Sequence, residues 1–500
     1  MELPKVFESQ NYEEEIYRKW EESGFFNPDN LTGDSYSIMM PPPNVTGVLH
    51  LGHALENALM DTMARFQRMQ GKKVLLIPGT DHAAVATQAK VESMLIKEGI
   101  KNPREELGRD GLLNKVREYA ENSKKTILSQ IRAMGTSCDW SRLAYTFDNT
   151  RSRAVNEVFV KMYNDGLIYR GYRVINWSVK GQSTCSDDEL VYVERPGKLY
   201  YFKYSKDFPI TIATTRPETK LGDTAVAVHP EDGRYKNLIG QKFTVDIGAQ
   251  SPLVIHIIAD VGIDPNFGTG ALGVTPAHST IDFEMYLKEK AQGNDIGLIP
   301  VIGEDGKMTI AAGVNYAGLS VEEARAKFVQ YLRDNDLLEK EEDTMQNVGT
   351  SDRFNDVVEP LPKTQWFVDV NKLVPGTNKT LKDMMRDAVL SGDERSLNKI
   401  KITPERFEKQ YFGWIDNLRD WCISRQIWWG HRIPVWYRGM EIFCGTEAPS
   451  GEEWVRDSDT LDTWFSSGMW TFSTLGWPEK TADFKTFHPS SWMQMGYEIL

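Results

Sequence analysis

The chain has little cysteine. It has four in 500 residues, Cys138, Cys185, Cys422 and Cys444, and no two of them form a C-x-x-C pair. That pattern excludes a disulfide framework and a cysteine zinc knuckle, and it fits a reducing cytoplasm. The sequence also lacks any apolar run approaching about 18 residues, so nothing in it reads as a membrane span. The opening Met-Glu-Leu-Pro-Lys has neither the apolar core nor the arginine-rich character of a targeting segment. An excess of positive charge is missing as well: 58 Lys and Arg face 71 Asp and Glu, a net charge of −13. The acidic average does not suggest nucleic acid, although a basic groove on an acidic protein still binds phosphates. No internal repeat and no low-complexity tract interrupts the chain.

What is present is ordinary for a folded chain: 40% hydrophobic and 26% charged residues. The 11% aromatic content, with 14 Trp, points to large cores or ring-lined pockets. Five hundred residues exceed one core, so two or three domains are expected. Residues 1–190 alternate strand and helix patterns, with charged amphipathic helices over Lys90–Gly99 and Glu105–Met134. From 191 to about 350 short β-rich runs dominate, such as Leu199–Tyr204 and Ile210–Thr215, punctuated by Gly and Pro, which reads as an inserted domain. From Pro360 onward long helical and Trp-rich segments are expected to resume, so residues 351–500 complete the first domain. The final Gly496-Tyr-Glu-Ile-Leu500 closes with no glycine, proline or charged tail, which reads as a chain cut short.

The most informative stretch is Pro41-Pro-Pro-Asn-Val-Thr-Gly-Val-Leu-His-Leu-Gly-His53. An apolar run over Tyr36–Met40 reads as a buried strand before it. After it, Leu55, Ala58, Leu59, Thr62, Met63, Phe66 and Met69 recur at helical spacing until Gly71, and Lys73–Ile77 reads as a second strand. His50 and His53 therefore sit where a strand hands over to a helix inside a β-α-β unit. A helix start attracts phosphate through its free amides and partial positive charge. Gly47 and Gly52 admit a ligand close to the backbone, and histidines at i and i+3 can both donate to one anionic group. The alternatives are a zinc pair, with Asp81 and His82 as the next donors along the chain, or two histidines that only cap the helix.

These strings resemble the class I aminoacyl-tRNA synthetases of the valine, isoleucine and leucine group, and the resemblance runs through nearly all of the chain. His50-Leu-Gly-His53 matches the family's HIGH motif. Gly79-Thr-Asp-His82 with Ala86-Thr-Gln88 looks like its second active-site segment. Asp420-Trp-Cys-Ile-Ser-Arg-Gln-Ile-Trp-Trp-Gly-His-Arg-Ile-Pro434 is similar to its return segment. The PPPNVTG loop, Leu461-Asp-Thr-Trp-Phe-Ser-Ser467 and Ser473-Thr-Leu-Gly-Trp-Pro478 look valine-type, which disfavours the isoleucine and leucine members. The resemblance implies an α/β fold, a Rossmann-type parallel-sheet catalytic domain split by an inserted β-rich editing domain. It implies ATP-dependent activation of valine, with Mg²⁺ on the phosphates, transfer to tRNA(Val), and a cytoplasmic monomer that acts on neither DNA nor a membrane. The family's K-M-S-K-S loop and anticodon-binding domain lie beyond Leu500, so a non-catalytic fragment that binds a tRNA-like ligand is the rival reading.

By the same resemblance His50, Gly52 and His53 carry the chemistry. Asn44, Thr46, Gly47, Gly496 and Glu498 join the two histidines around ATP. Pro42, Asn44, Asp81, Trp464 and Ile499 surround valine, with Asp81 holding its ammonium group. Asp81 could instead be a helix N-cap, and Trp464 a simple core residue. In the insertion, Thr214, Thr215, Arg216 and Thr219 match a threonine-rich editing motif, although T-T-R-P-E-T could be only a turn and a capped helix. Thr275, His278 and Asp282 match the second editing segment, with Asp282 anchoring the misacylated amino group and Arg216 and Thr219 holding the terminal adenosine and positioning water. Two positions depart from the pattern: Gly273 replaces a usual lysine and Ser279 a usual aspartate, so the pocket lacks two expected charges. Asn176-Trp-Ser-Val-Lys180 has Val179 where the family has proline, and no zinc is expected.

Overall fold

The computed structural model describes residues 8–390 and 399–496. The chain divides into two compact units, Met1–Tyr169 with Trp366–Leu500, and the inserted Arg170–Gln365. The insertion is therefore wider than the expected 191–350. Its ends fall inside two long strands, Ile168–Ser178 and Val358–Val368, and a shift in composition does not reveal a boundary that a continuous strand crosses.

The first unit opens with the expected β-α-β arrangement. Strand β1 (Ser35–Met39) runs parallel to β2 (Lys73–Ile77), with Ser35 opposite Lys73 and Met39 opposite Ile77. Helix α1 (Leu51–Met69) joins them and stops where Gly71 takes a φ of +81°, a conformation that costs glycine little. Side chains alternate along the strands, so Ile38, Val74 and Leu76 enter a core with Met60 and Ala64 of α1, while Met39, Leu75 and Ile77 pack on the other face with Trp470, Leu475 and Phe487. Both faces are covered, as a parallel sheet requires. Each such large side chain contributes roughly 1.5–3 kcal/mol by leaving water. Next come α2 (Ala84–Lys97), α3 (Pro103–Ala133, broken at Gly108) and α4 (Asn149–Asn164). Val91 and Leu95 of α2 and Leu112 and Val116 of α3 extend the first core.

The inserted unit is β-rich. A long ribbon pairs β3 (Leu190–Phe202) with β9 (Leu338–Ser351), and β4 (Ile212–Thr214) adds to the free edge of β3. A second sheet has the order β6-β7-β5-β8, from β5 (Ala225–Val228), β6 (Lys242–Val245), β7 (Leu253–Ala259) and β8 (Ala271–Val274). Ala225, Ala227, Ile258 and Val274 from this sheet pack with Met285 of α5 (Thr280–Ala291). Helix α6 (Val321–Asp334) leads into β9.

After the insertion, no helix among the described residues beyond Pro360 exceeds ten residues, in contrast to the long helices expected, and much of 421–461 is short strand. Its apolar residues serve a compact core instead: Ile423, Ile433, Val435, Leu461 and Phe465 pack with Val155 and Phe159 of α4. The segment ends with the short helix α7 (Thr463–Ser467) and with β10 (Trp492–Met493), which pairs parallel to β1 through Ile38–Trp492 and Met39–Met493. The resulting sheet order is β2-β1-β10, all parallel.

Candidate functional sites

A parallel sheet offers ligands the edge where its strands end. Here that edge issues three candidate segments. The proline loop follows β1, Gly79–His82 follows β2, and Gly496 follows β10. The proline loop is pinned from several sides. Asp81 donates its amide to the Pro43 carbonyl (2.9 Å) and accepts from the Val45 amide (2.9 Å). The Tyr119 hydroxyl of α3 donates to the Thr46 carbonyl (2.7 Å), and Gln130 accepts from the Leu49 amide (2.9 Å). Gly47 faces open space, where a Cβ would meet nothing within 4 Å. Asn44 is exposed, and Pro42 and Thr46 are half-buried.

His50 is the N-cap of α1, and the two histidines cap it reciprocally. The Gly52 amide donates to His50 Nδ1 (3.1 Å), and the His50 amide donates to His53 Nδ1 (3.3 Å). The capping alternative is thus realised, yet it consumes only one nitrogen of each ring. An Nδ1 that accepts leaves the neutral ring's proton on Nε2, so both rings keep a donor for a ligand. The ring centroids lie 4.0 Å apart. Burial first, and then the neighbouring His50, lower the His53 pKa, which keeps that ring neutral near pH 7. Gly52 is needed here because a Cβ would lie 2.9 Å from the His50 ring.

Asp81 is 4% exposed. Its Oδ1 accepts from Thr146 (2.7 Å) and contacts His82 Nδ1 (3.1 Å), while Oδ2 accepts from Thr463 (3.2 Å) and Ser467 (3.3 Å) of α7. Burial would raise its pKa, but His82, Thr146 and the Ala83 amide outweigh that and hold it below the usual range. It is not the N-cap of α2: Ala83 occupies that position at φ +46° with no side-chain cap. Trp464, beside Thr463, is 42% exposed, so it is not a core residue. Glu498 and Ile499 lie outside the described residues.

Sequence reasoning missed Thr146, Thr463 and Ser467 around Asp81. It also missed how two of its strings meet: Gln88 Oε1 accepts from the amides of Trp428 (2.8 Å) and Trp429 (2.9 Å), 340 and 341 residues away. Among the described residues no group of three or more His, Cys, Asp or Glu is placed to hold a metal ion.

The inserted unit brings its two motifs together. Pro217–Gly222 is a 3₁₀ turn, not a capped α-helix. Thr214 Oγ1 accepts from the Arg216 amide (3.0 Å), and Thr219 donates its hydroxyl to the Arg216 carbonyl (2.9 Å). Thr215 is half-buried. Arg216 bonds Glu359 (2.6 Å) and Glu218 (3.2 Å), and Glu218 takes a two-pronged contact from Arg325 (2.8 and 2.9 Å). Burial would lower the Arg216 pKa, but the charges of Glu359 and Glu218 raise it further. Thr275 donates its amide to Asp282 Oδ2 (2.7 Å), and Ser279 caps α5 while donating to Asp282 Oδ1 (2.9 Å).

His278 has both ring nitrogens against the backbone. Its Nδ1 lies 3.0 Å from the Pro360 carbonyl, and its Nε2 accepts from the amides of Val301 (2.9 Å) and Ile302 (3.1 Å). Burial is the main cause that pushes its pKa down to about 3. Both nitrogens are spent on backbone, so the ring ties three segments together. The residues that sequence reasoning passed over, Tyr204, Lys220 and Asp223, form a buried polar cluster against Thr275.

Residues 15–500 match the family model described as tRNA synthetases class I (I, L, M and V). The chain belongs to this family. Its relatives include the valine–tRNA ligases of Carboxydothermus hydrogenoformans and Oceanobacillus iheyensis, each 46% identical, and that of Protochlamydia amoebophila, 43% identical. In each comparison all of this chain is covered, against 55%, 55% and 52% of the relative's length. The chain thus spans about half the length of the curated relatives it matches.

Proposed function

We propose that this chain carries the valine-activating site of a valine–tRNA ligase, with an inserted unit that hydrolyses threonyl-tRNA(Val). What carries the reading is the edge of the parallel sheet, where the loop that follows β1 and leads to His50 and His53 is tied by backbone hydrogen bonds to Asp81, after β2. In the first step a valine carboxylate oxygen bonds to the α-phosphorus of ATP, and the bond to the bridging oxygen breaks to release pyrophosphate. The carboxylate is already ionised, so the step needs in-line positioning and charge stabilisation, not a general base. The Nε2–H groups of His50 and His53 supply donors to the crowded phosphate. Mg²⁺ enters with ATP as part of the substrate.

Asp81 holds the valine ammonium, Pro42, Asn44 and Trp464 bound the side chain, and Thr46, Gly47 and Gly496 line the nucleotide side. A ribose hydroxyl of tRNA(Val) then takes the valyl group and AMP leaves. Since an apolar pocket refuses an isosteric hydroxyl by only about 10², threonine reaches the tRNA. In the inserted unit Asp282 then anchors the threonine amino group, Arg216 and Thr219 hold the terminal adenosine, and water cleaves the ester.

The protein in its natural full length should catalyse ATP–pyrophosphate exchange with valine far better than with isoleucine, and should hydrolyse separately prepared threonyl-tRNA(Val). Exchange with isoleucine at or above the valine rate would contradict the first claim. Hydrolysis no faster than background would contradict the second.

A further inference from the structure

The inserted unit holds a buried cation that this scheme leaves unused. Lys220, 5% exposed, lies within the turn Pro217–Gly222, directly after Thr219, and reaches across to the second motif. Its Nζ donates to the Gly273 carbonyl (2.6 Å) and to Thr275 Oγ1 (2.9 Å), and lies 3.3 Å from Asp223 Oδ1. Three N–H donors meet three acceptors, so the ammonium has nothing left for a ligand. Thr275 passes the contact on: its hydroxyl donates to Asp223 and its amide to Asp282. The Tyr204 hydroxyl donates to the other oxygen of Asp223.

A buried ammonium is costly unless paired and fully hydrogen-bonded, and here it is both. Gly273 shows why the cation arrives from 220. A Cβ at 273 would lie 2.6 Å from Asp223 Oδ2 and 2.8 Å from both the Tyr204 hydroxyl and Ile212 Cδ1. No side chain fits there without displacing the cluster, and the lysine at 220 lays its charge on the carbonyl of 273 instead.

We infer that Lys220 is a positioning residue for the proposed hydrolysis: it fixes Thr275, which in turn aims the Asp282 carboxylate at the amino group of the misacylated threonine. The inference rests on the editing reading given above. In this chain the cation absent at Gly273 is supplied from position 220.

The test follows hydrolysis of threonyl-tRNA(Val) by the full-length protein and by K220M, T275V, the double variant and K220R. Loss of such positioning should lower kcat about 10- to 100-fold for K220M, with KM little changed. T275V should lose a similar factor, the double variant no more than the worse single, and K220R should recover part of the rate. If K220M does not fold, T275V, which keeps the lysine and the side-chain shape, must still lose hydrolysis by that factor. Wild-type kcat in K220M or T275V would overturn the inference, and so would a double variant that loses the product of the two factors. An unsubstituted protein that fails to hydrolyse the substrate removes the editing reading itself, and that failure is visible before any substitution is made.

Discussion

At His50 and His53 the chain spends one nitrogen of each ring on capping the helix and leaves the other for a ligand. At Lys220, Asp223 and Thr275 each polar group is bonded to a neighbour below the surface. The first centre is held by caps and by a loop pinned to its neighbours, which leaves its donors available for the proposed phosphate contact. The second is held by charges that neutralise one another in a medium of low dielectric, where an unmatched group is expensive. The contrast separates what a substitution does in each region. In the open centre it should change chemistry more than stability, and in the closed one it should change both.

The largest expected effect breaks the closed region. Glu218 is fully buried between Arg216 and Arg325, and its pKa is lowered because those two guanidiniums outweigh the effect of burial. Glu218→Ala leaves Arg325 without its carboxylate and Arg216 with Glu359 alone, and should destabilise the inserted unit by about 3 kcal/mol in denaturant unfolding. His50→Ala, which removes an exposed cap, should cost only about 1 kcal/mol. Equal losses would erase the contrast.

A smaller effect concerns pH. Folding holds His278 neutral, with a pKa near 3 against 6.5 for a free ring. Its stabilisation is therefore complete above about 6.5 and drains away as pH falls toward 3. A protonated Nε2 cannot accept, so the amides of Val301 and Ile302 should lose their local hydrogen-exchange protection only as pH approaches 3, while global stability falls across the whole window. Stability that does not fall between pH 6.5 and 3 would contradict the assigned role.

How much of this was readable in the sequence follows the same division. The β1-α1-β2 unit was legible because its signals are local: an apolar run, a helical repeat, a glycine stop at Gly71, and two histidines one turn apart. The cluster around Lys220 was not. Its members stand at 204, 220, 223, 273, 275 and 282, and only the tertiary fold makes them neighbours. The surroundings of His278 were hidden for the same reason, since the backbone groups that occupy its ring come from Val301, Ile302 and Pro360. The segment 421–461 shows a further limit: its apolar residues fill a core through short strands and turns, and composition alone does not distinguish that from a buried helix.

The central claim is that His50 and His53 stabilise charge at the α-phosphate, and valine-dependent ATP–pyrophosphate exchange in the full-length protein with His53→Ala tests it most directly. Loss of an Nε2–H donor should lower the exchange rate by about 10²-fold or more, while the unfolding midpoint moves little. Exchange near the wild-type rate in a folded His53→Ala protein would contradict it.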